Sequence, residues 1–214
     1  MSQIGFIGLG AMGNPMAKNL IKKGFKLKVF DIISSKMEPL KEIGAECVSS
    51  CKELAEQCNI IITMLPSSPH VKEAVLGNNG IYEGIQKGSL FIDMSTIDPI
   101  VTRELAKILE FKEVEMLDAP VARGVTAAIN GTLVIYVGGK KEVFEKYKEI
   151  LAAMGSDIYY VGDIGSGEVV KIINNLIVGV TTCALAEAMV LGVKAGVKPD
   201  ILFEALSSGS GNSF

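Results

Sequence analysis

The sequence predicts an α/β protein: a Rossmann-type, mostly parallel sheet, then a long interdomain helix and the start of an all-α domain. Three observations predict it. Over roughly the first 160 residues short apolar runs alternate with helical stretches. A glycine-rich turn, Gly8-Leu9-Gly10-Ala11-Met12-Gly13, joins the first run to the first helical stretch. From Gly167 to about Ala195 only two isolated glycines, Gly179 and Gly192, interrupt a continuous helical pattern.

Strands are expected at Ile4–Ile7, Leu27–Phe30, Ile60–Met64, Leu90–Asp93, Glu115–Asp118, Leu133–Val137 and Ile158–Tyr160. The unbroken apolar run Ile60-Ile61-Ile62 suits a strand covered on both faces. Helical spacing fills most intervals, at Met12–Lys23, Pro69–Leu76, Pro99–Leu109 and Lys141–Met154. Strand and helix in alternation imply βαβ units and a parallel sheet. The later pair, around Leu133 and Ile158, is expected to include an antiparallel edge strand. A helix from Gly167 to Ala195 would be about 42 Å long at 1.5 Å per residue, more than covering a sheet requires. Gly196 and then Pro199 stop it in the usual order. A short helix over Asp200–Leu206 and a serine-glycine tail, Ser207 to Phe214, complete the chain. These changes of tempo divide it into residues 1–163 and 164–214.

Composition narrows the function. The 214 residues are 49% hydrophobic and 21% charged, with 23 glycines and no tryptophan. Mean hydropathy is +0.37. That is enough apolar material for a sizeable core and too little charge for a disordered chain. A net charge of −3 leaves no basic footprint for nucleic acid. The four cysteines, Cys47, Cys51, Cys58 and Cys183, form no CxxC pair, and there is one histidine, His70. No metal site is expected from such a set. Free thiols and the absence of a charged leader before the first strand point to a cytoplasmic protein. Ile172–Val193 carries one charge, Glu187, and is long enough to span a bilayer. Asn174, Asn175, Thr181 and Thr182 interrupt it, so burial between domains or subunits is the expectation rather than a membrane.

The glycine turn carries the first chemistry. A lone GxGxxG is weak, but here it follows a strand and opens a helix. Gly8 allows the tight turn, Gly10 lets the backbone approach a pyrophosphate, and Gly13 lets helix and strand pack closely. The helix N-terminus then faces the phosphates. Asp31 ends the second strand, 18 residues after Gly13, where a carboxylate can bond the adenosine ribose and repel a 2′-phosphate. NAD(H) is therefore favoured over NADP(H). The alternative is a Rossmann-like turn that holds another adenine nucleotide, or nothing.

At greater length the motifs resemble the β-hydroxyacid dehydrogenases, the group that includes 3-hydroxyisobutyrate dehydrogenase, tartronate semialdehyde reductase and 2-(hydroxymethyl)glutarate dehydrogenase. The resemblance runs from Gly5 through Leu20, and through Ile60-Ile61-Ile62-Thr63-Met64-Leu65-Pro66, Ile92-Asp93-Met94-Ser95-Thr96 and Asp118-Ala119-Pro120-Val121. It continues in Gly165-Ser166-Gly167 and from Lys171 to Asn175. Cys58–Gly84 is most similar to the tartronate semialdehyde enzymes, and Val161–Asn212 to the hydroxymethylglutarate enzymes. The resemblance implies that Gly8, Leu9, Gly10, Ala11, Met12 and Gly13 hold the pyrophosphate. It places Met64, Leu65 and Pro66 beside the ribose and nicotinamide, and Thr96 at the nicotinamide end. Thr96 also reads, with Asp98 and Pro99, as the start of a helix.

The resemblance further implies NAD(P)-dependent interconversion of a small 3-hydroxy acid and its semialdehyde or 3-oxo acid. With no metal ligands, the proton must come from a side chain. The matching position is Lys171, among Val169, Val170, Ile172 and Ile173, where partial burial lowers a lysine's pKa. Asn175, four residues on, shares its helix face and matches the substrate-orienting asparagine. Taken without the resemblance, the pair reads as a snorkelling lysine beside a bridging amide. The substrate loop departs from the family's serine-glycine-glycine: here it is Ala122-Arg123-Gly124, which loses a hydroxyl and gains a guanidinium able to grip a carboxylate. His70 is expected to be merely exposed. Members of the family run longer than this chain, which is expected to end just inside their helical domain; the apolar helix after Lys171 then predicts self-association, as a homodimer or homotetramer. The alternative function is a non-catalytic dinucleotide-binding or scaffold protein on the same fold. An imine reductase is disfavoured because Lys171 is retained.

Overall fold

A computed structural model describes residues 3–209. Residues 210–214, most of the serine-glycine tail, lie outside the described residues. The chain forms two compact units, Met1–Lys171 and Ile172–Phe214, and the division falls within one continuous helix.

The first unit opens with β1 (Gln3–Ile7), α1 (Gly13–Lys22), β2 (Lys26–Phe30), α2 (Glu38–Lys41), β3 (Glu46–Cys47) and α3 (Cys51–Gln57). Next come β4 (Ile60–Thr63), α4 (Ser68–Leu76), α5 (Ile81–Gly84), β5 (Leu90–Asp93) and α6 (Pro99–Glu110). The last part holds β6 (Glu115–Asp118), β7 (Val121–Ala122), α7 (Gly124–Asn130), β8 (Leu133–Gly139), α8 (Lys141–Ala152) and β9 (Gly155–Gly162). All the described strands join one sheet in the order β3-β2-β1-β4-β5-β6-β8-β7, with β9 on the other side of β8. The ladders from β3 through β6 are parallel. The order reverses at β1, which lies between β2 and β4, so a ligand crevice is expected beyond its C-terminal end.

The triple isoleucine shows how the sheet is covered. Ile60 and Ile62 face one apolar layer, with Met16 and Leu20 of α1, Ala128 of α7 and Leu151 of α8. Ile61 faces the other, with Leu54 of α3, Val75 of α4 and Leu105 of α6. Alternate side chains of a strand point to opposite faces, so a strand covered twice must be apolar at every position.

The expected reversal at this end of the sheet is present in both strands of the pair, and the second of them is the edge strand. β8 runs antiparallel to β6 and β7 and parallel to β9, and it is β9 that takes the edge. β6 and β7 form one line, keeping a single register against β8 on both sides of Ala119-Pro120. Pro120 has no N–H to offer the ladder, yet its carbonyl still accepts from Tyr136 N at 3.1 Å.

α9 (Ser166–Lys194) carries the chain out of the first unit, and α10 (Pro199–Ser207) follows it. In the second unit the α9 side chains Leu176, Ile177, Val180, Leu185, Val190 and Leu191 are all exposed. By length and composition α9 is one helix that could cross a membrane.

Candidate active site

Because β1, β4, β5 and β6 are parallel, the segments that leave them collect at one end of the sheet. The turn after β1 bonds to both neighbours: Gly8 N donates to Phe30 O, and Met64 N to Ile7 O. Gly8 has φ +92°, and a Cβ there would collide with the carbonyl of Met64. Only glycine lets the two loops come together in this way. Beside Gly10, by contrast, a Cβ would meet nothing, so its backbone is open to a ligand.

These loops border a cleft of about 650 Å³, within the range of small-molecule sites. Gly8, Gly10, Ala11, Met12, Gly13, Asp31, Met64, Leu65 and Pro66 line it, as do His70 and Lys36. Leu9 does not: its side chain is buried in the core while its N–H donates to Asp31 Oδ2 at 2.8 Å. Asp31 Oδ1 accepts from Ile33 N at 2.9 Å and lies 3.7 Å from Lys36 Nζ. Asp31 thus fastens the glycine turn to the end of β2 and still borders the cleft. A glycine turn open at Gly10, a helix N-terminus and a carboxylate at the far wall fit a dinucleotide. His70 is exposed, its Nδ1 2.7 Å from Ser67 Oγ. No cluster of residues suited to a metal ion occurs among the described residues.

A second set of residues sits at the ends of β4, β5 and β6. Their registers put Thr63, Asp93 and Asp118 in one row across three neighbouring strands, all fully buried. Asp93 Oδ1 accepts from Thr63 Oγ1 at 2.8 Å and from Ser95 N at 3.1 Å. Ser95 Oγ in turn accepts from Leu65 N at 2.9 Å. The row thereby holds the Met64–Pro66 loop in place. Thr96 follows Ser95 and is half-buried. Asp98 makes the cap of α6, taking Ile100 N at 2.8 Å, so Thr96 is not needed as a cap.

Asp118 secures the helix that carries Lys171. Its Oδ1 accepts from Gly165 N at 2.7 Å and its Oδ2 from Glu168 N at 2.9 Å. A carboxylate over the first N–H groups of a helix satisfies orphan donors and complements the helix dipole. The fit requires Gly167, where a Cβ would collide with the carbonyl of Tyr136 and press on Asp118. Burial pushes the Asp118 carboxyl upward, opposed by these N–H donors. Glu168, also fully buried, accepts Ile97 N at 3.1 Å and so ties α9 to the loop containing Thr96. Burial and the charge of Asp93 push Glu168 up to about 9.

Lys171 stands one turn beyond Glu168 and is half-buried. Burial lowers its pKa, and Glu168, when ionised, acts in the opposite direction. Asn175, one further turn along α9, falls in the second unit, where it is exposed. Arg123 is exposed, with its guanidinium engaged by Asp157 Oδ2 at 2.5 Å and Thr132 O at 3.3 Å. It has φ +79°, a conformation natural to glycine. Ala122 and Gly124 flank it at the end of β7 and the start of α7. The motifs by themselves assign no role to Thr63, Asp93, Ser95, Asp118 or Glu168. All but Glu168 stand inside the quoted motifs, and polar residues ending otherwise apolar strands were the available signal.

Comparison with known proteins identifies the family. Residues 3–162 match the family described as the NAD binding domain of 6-phosphogluconate dehydrogenase. Residues 165–214 match the NAD-binding family of NADP-dependent 3-hydroxyisobutyrate dehydrogenase. A mitochondrial 3-hydroxyisobutyrate dehydrogenase of Mus musculus is 46% identical over 208 residues, 97% of this chain and 62% of its own length. The chain thus spans about three fifths of that curated relative (62%). The 2-(hydroxymethyl)glutarate dehydrogenase of Eubacterium barkeri is 42% identical over 99% of this chain and 70% of its own. Among solved structures, Mycobacterium tuberculosis 3-hydroxyisobutyrate dehydrogenase with L-serine superposes with TM-score 0.91 at 32% identity, covering 99% of this chain and 72% of that one. The chain belongs to the β-hydroxyacid dehydrogenase family, and its sheet is that family's NAD-binding domain.

Proposed function

We propose that the chain is the NAD(H)-binding part, with the catalytic lysine, of an oxidoreductase that interconverts a small 3-hydroxy acid and its semialdehyde or 3-oxo acid. One observation carries this reading: a half-buried Lys171 of lowered pKa on a helix whose first turn is bound to the end of β6 and to the loop after β5. A bound nicotinamide supplies the hydride. The Gly8–Gly13 turn would take the pyrophosphate, Asp31 the adenosine ribose, and Met64–Pro66 with Thr96 the nicotinamide end. Lys171 would give a proton to the carbonyl oxygen during reduction and take the hydroxyl proton during oxidation, since a lysine of lowered pKa can do both.

NAD(H) is the proposed cofactor, because a 2′-phosphate would meet the Asp31 carboxylate, with Lys36 as the cation nearby. For the substrate we propose the 3-hydroxyisobutyrate or tartronate semialdehyde type, its carboxylate against Ala122-Arg123-Gly124. The exposed apolar side of α9 supports homo-oligomerisation, since soluble monomers seldom expose so large an apolar surface. The test is oxidation of NADH with methylmalonate, tartronate and succinate semialdehydes and with glyoxylate. Turnover of at least one 3-oxo acid in preference to glyoxylate is expected. NADH binding with no turnover of any of them would instead leave a dinucleotide-binding scaffold.

A further inference from the structure

Three buried acids meet at the root of α9, and their hydrogen bonds leave two oxygens over. Asp118 uses both oxygens on Gly165 N and Glu168 N. Asp93 uses Oδ1 on Thr63 and Ser95, and Glu168 uses Oε2 on Ile97 N. Asp93 Oδ2 and Glu168 Oε1 are buried and receive no donor from any described residue. Buried polar atoms nearly always have a partner, and no other buried side-chain N or O among the described residues is left in this way.

Both belong to one buried cluster of acids. Glu168 takes its N–H bond from Ile97, four residues after Asp93, and gives its own N–H to Asp118, which stands opposite Asp93 in the sheet. The charged groups acting on Glu168 are Asp93 of β5, Asp118 of β6 and Lys171 of α9, with Asp93 the strongest. Two carboxylates at close quarters in a dry site cannot both be ionised, whereas a single proton between them would satisfy both stranded oxygens.

We propose that Glu168 and Asp93 share one proton, Glu168 Oε1 donating to Asp93 Oδ2, in a carboxyl–carboxylate bond that ties the first turn of α9 to the end of β5. Glu168 is thus a positioning residue. Its second effect rests on the oxidoreductase reading: as a neutral acid it gives Lys171 no counter-charge, so the lysine keeps its lowered pKa and is free to exchange a proton with substrate. The direction of the Glu168 shift agrees, since burial and Asp93 both favour its protonated form.

The structural half is tested without turnover, by infrared spectroscopy of the full chain at neutral pH. A protonated-acid carbonyl band is expected, and it should disappear in Glu168→Gln. Glu168→Gln should also keep the thermal stability, because an amide can donate to Asp93 and accept from Ile97, whereas Glu168→Ala should lower it. No such band, or equal destabilisation by Gln and Ala, would overturn the proposal. The electrostatic half is tested with Asp93→Asn, whose amide would donate to Glu168 and ionise it. The pH midpoint of carbonyl reduction should then rise by about one unit or more, while an unchanged midpoint would contradict it. If the band behaves as stated and the chain reduces no 3-oxo acid, the shared proton stands and the oxidoreductase reading falls.

Discussion

Asp118 Oδ2 accepts the backbone N–H of Glu168 at 2.9 Å, so the end of one strand caps a helix that begins nearly fifty residues later. The bond sets where α9 starts, and hence where Lys171 stands one turn on. Removing the carboxylate in Asp118→Ala would strand buried N–H groups at a helix terminus, at a cost of about 1–3 kcal/mol. Denaturant titration should find that loss, and kcat should fall further than affinity for NADH. A variant as stable as the parent would show that the cap is dispensable.

Two glycines of α9 should respond oppositely to alanine. Gly167 packs where a Cβ would collide with Tyr136 O, while Gly179 has open space around it. Helix propensity alone favours alanine at both, by about 1 kcal/mol. Gly179→Ala should therefore raise Tm and Gly167→Ala should lower it. Stabilisation by both would mean that α9 does not sit tightly on β8.

Stability should fall with rising pH because of Glu168. Its folded pKa of about 9 exceeds the ordinary 4.5, so between these values the folded chain binds a proton that the unfolded chain does not. The contribution is complete below about 4.5 and is lost as the pH climbs towards about 9. Lys171, with its lowered pKa, has the opposite sign: the unfolded chain binds the extra proton, so stability recovers as pH rises towards 10.5. Thermal melts from pH 5 to 9 should show the first slope, flattened in Glu168→Gln. An identical slope in that variant would assign it to another group.

Asp31 should control the choice of dinucleotide. Asp31→Ala removes the carboxylate facing the ribose and also the partner of Leu9 N. NADH affinity should fall, and the ratio of NADPH to NADH affinity should shift towards NADPH by about tenfold, or 1.4 kcal/mol. Fluorescence titration of both nucleotides decides it. A proportional loss on both would leave Asp31 with a purely structural part.

Local pattern made much of this fold legible. The glycine turn, the buried triple isoleucine and the long helix follow from periodicity and from what each residue type tolerates. β3, two residues long, has no pattern of its own and exists because β2 offers an edge. β7 was hidden because Pro120 interrupts the line it continues from β6. The cofactor cleft was legible because its residues lie in continuous motifs. The buried acids were not, since what Asp93, Asp118 and Glu168 do depends on partners as far as 71 residues away in the chain, such as Ile97 for Glu168. Arg123 illustrates the same limit: its sequence context suggests a free guanidinium, but Asp157, at the start of a strand 34 positions later, engages it.

The most direct test of the central claim is Lys171→Met, assayed for NADH-dependent reduction of a 3-oxo acid alongside NADH affinity. Loss of a general acid should reduce kcat by about 10²–10⁴-fold while NADH binds as before, because Lys171 lies outside the cleft lined by the glycine turn. Turnover close to that of the parent would contradict the assignment of the proton to Lys171.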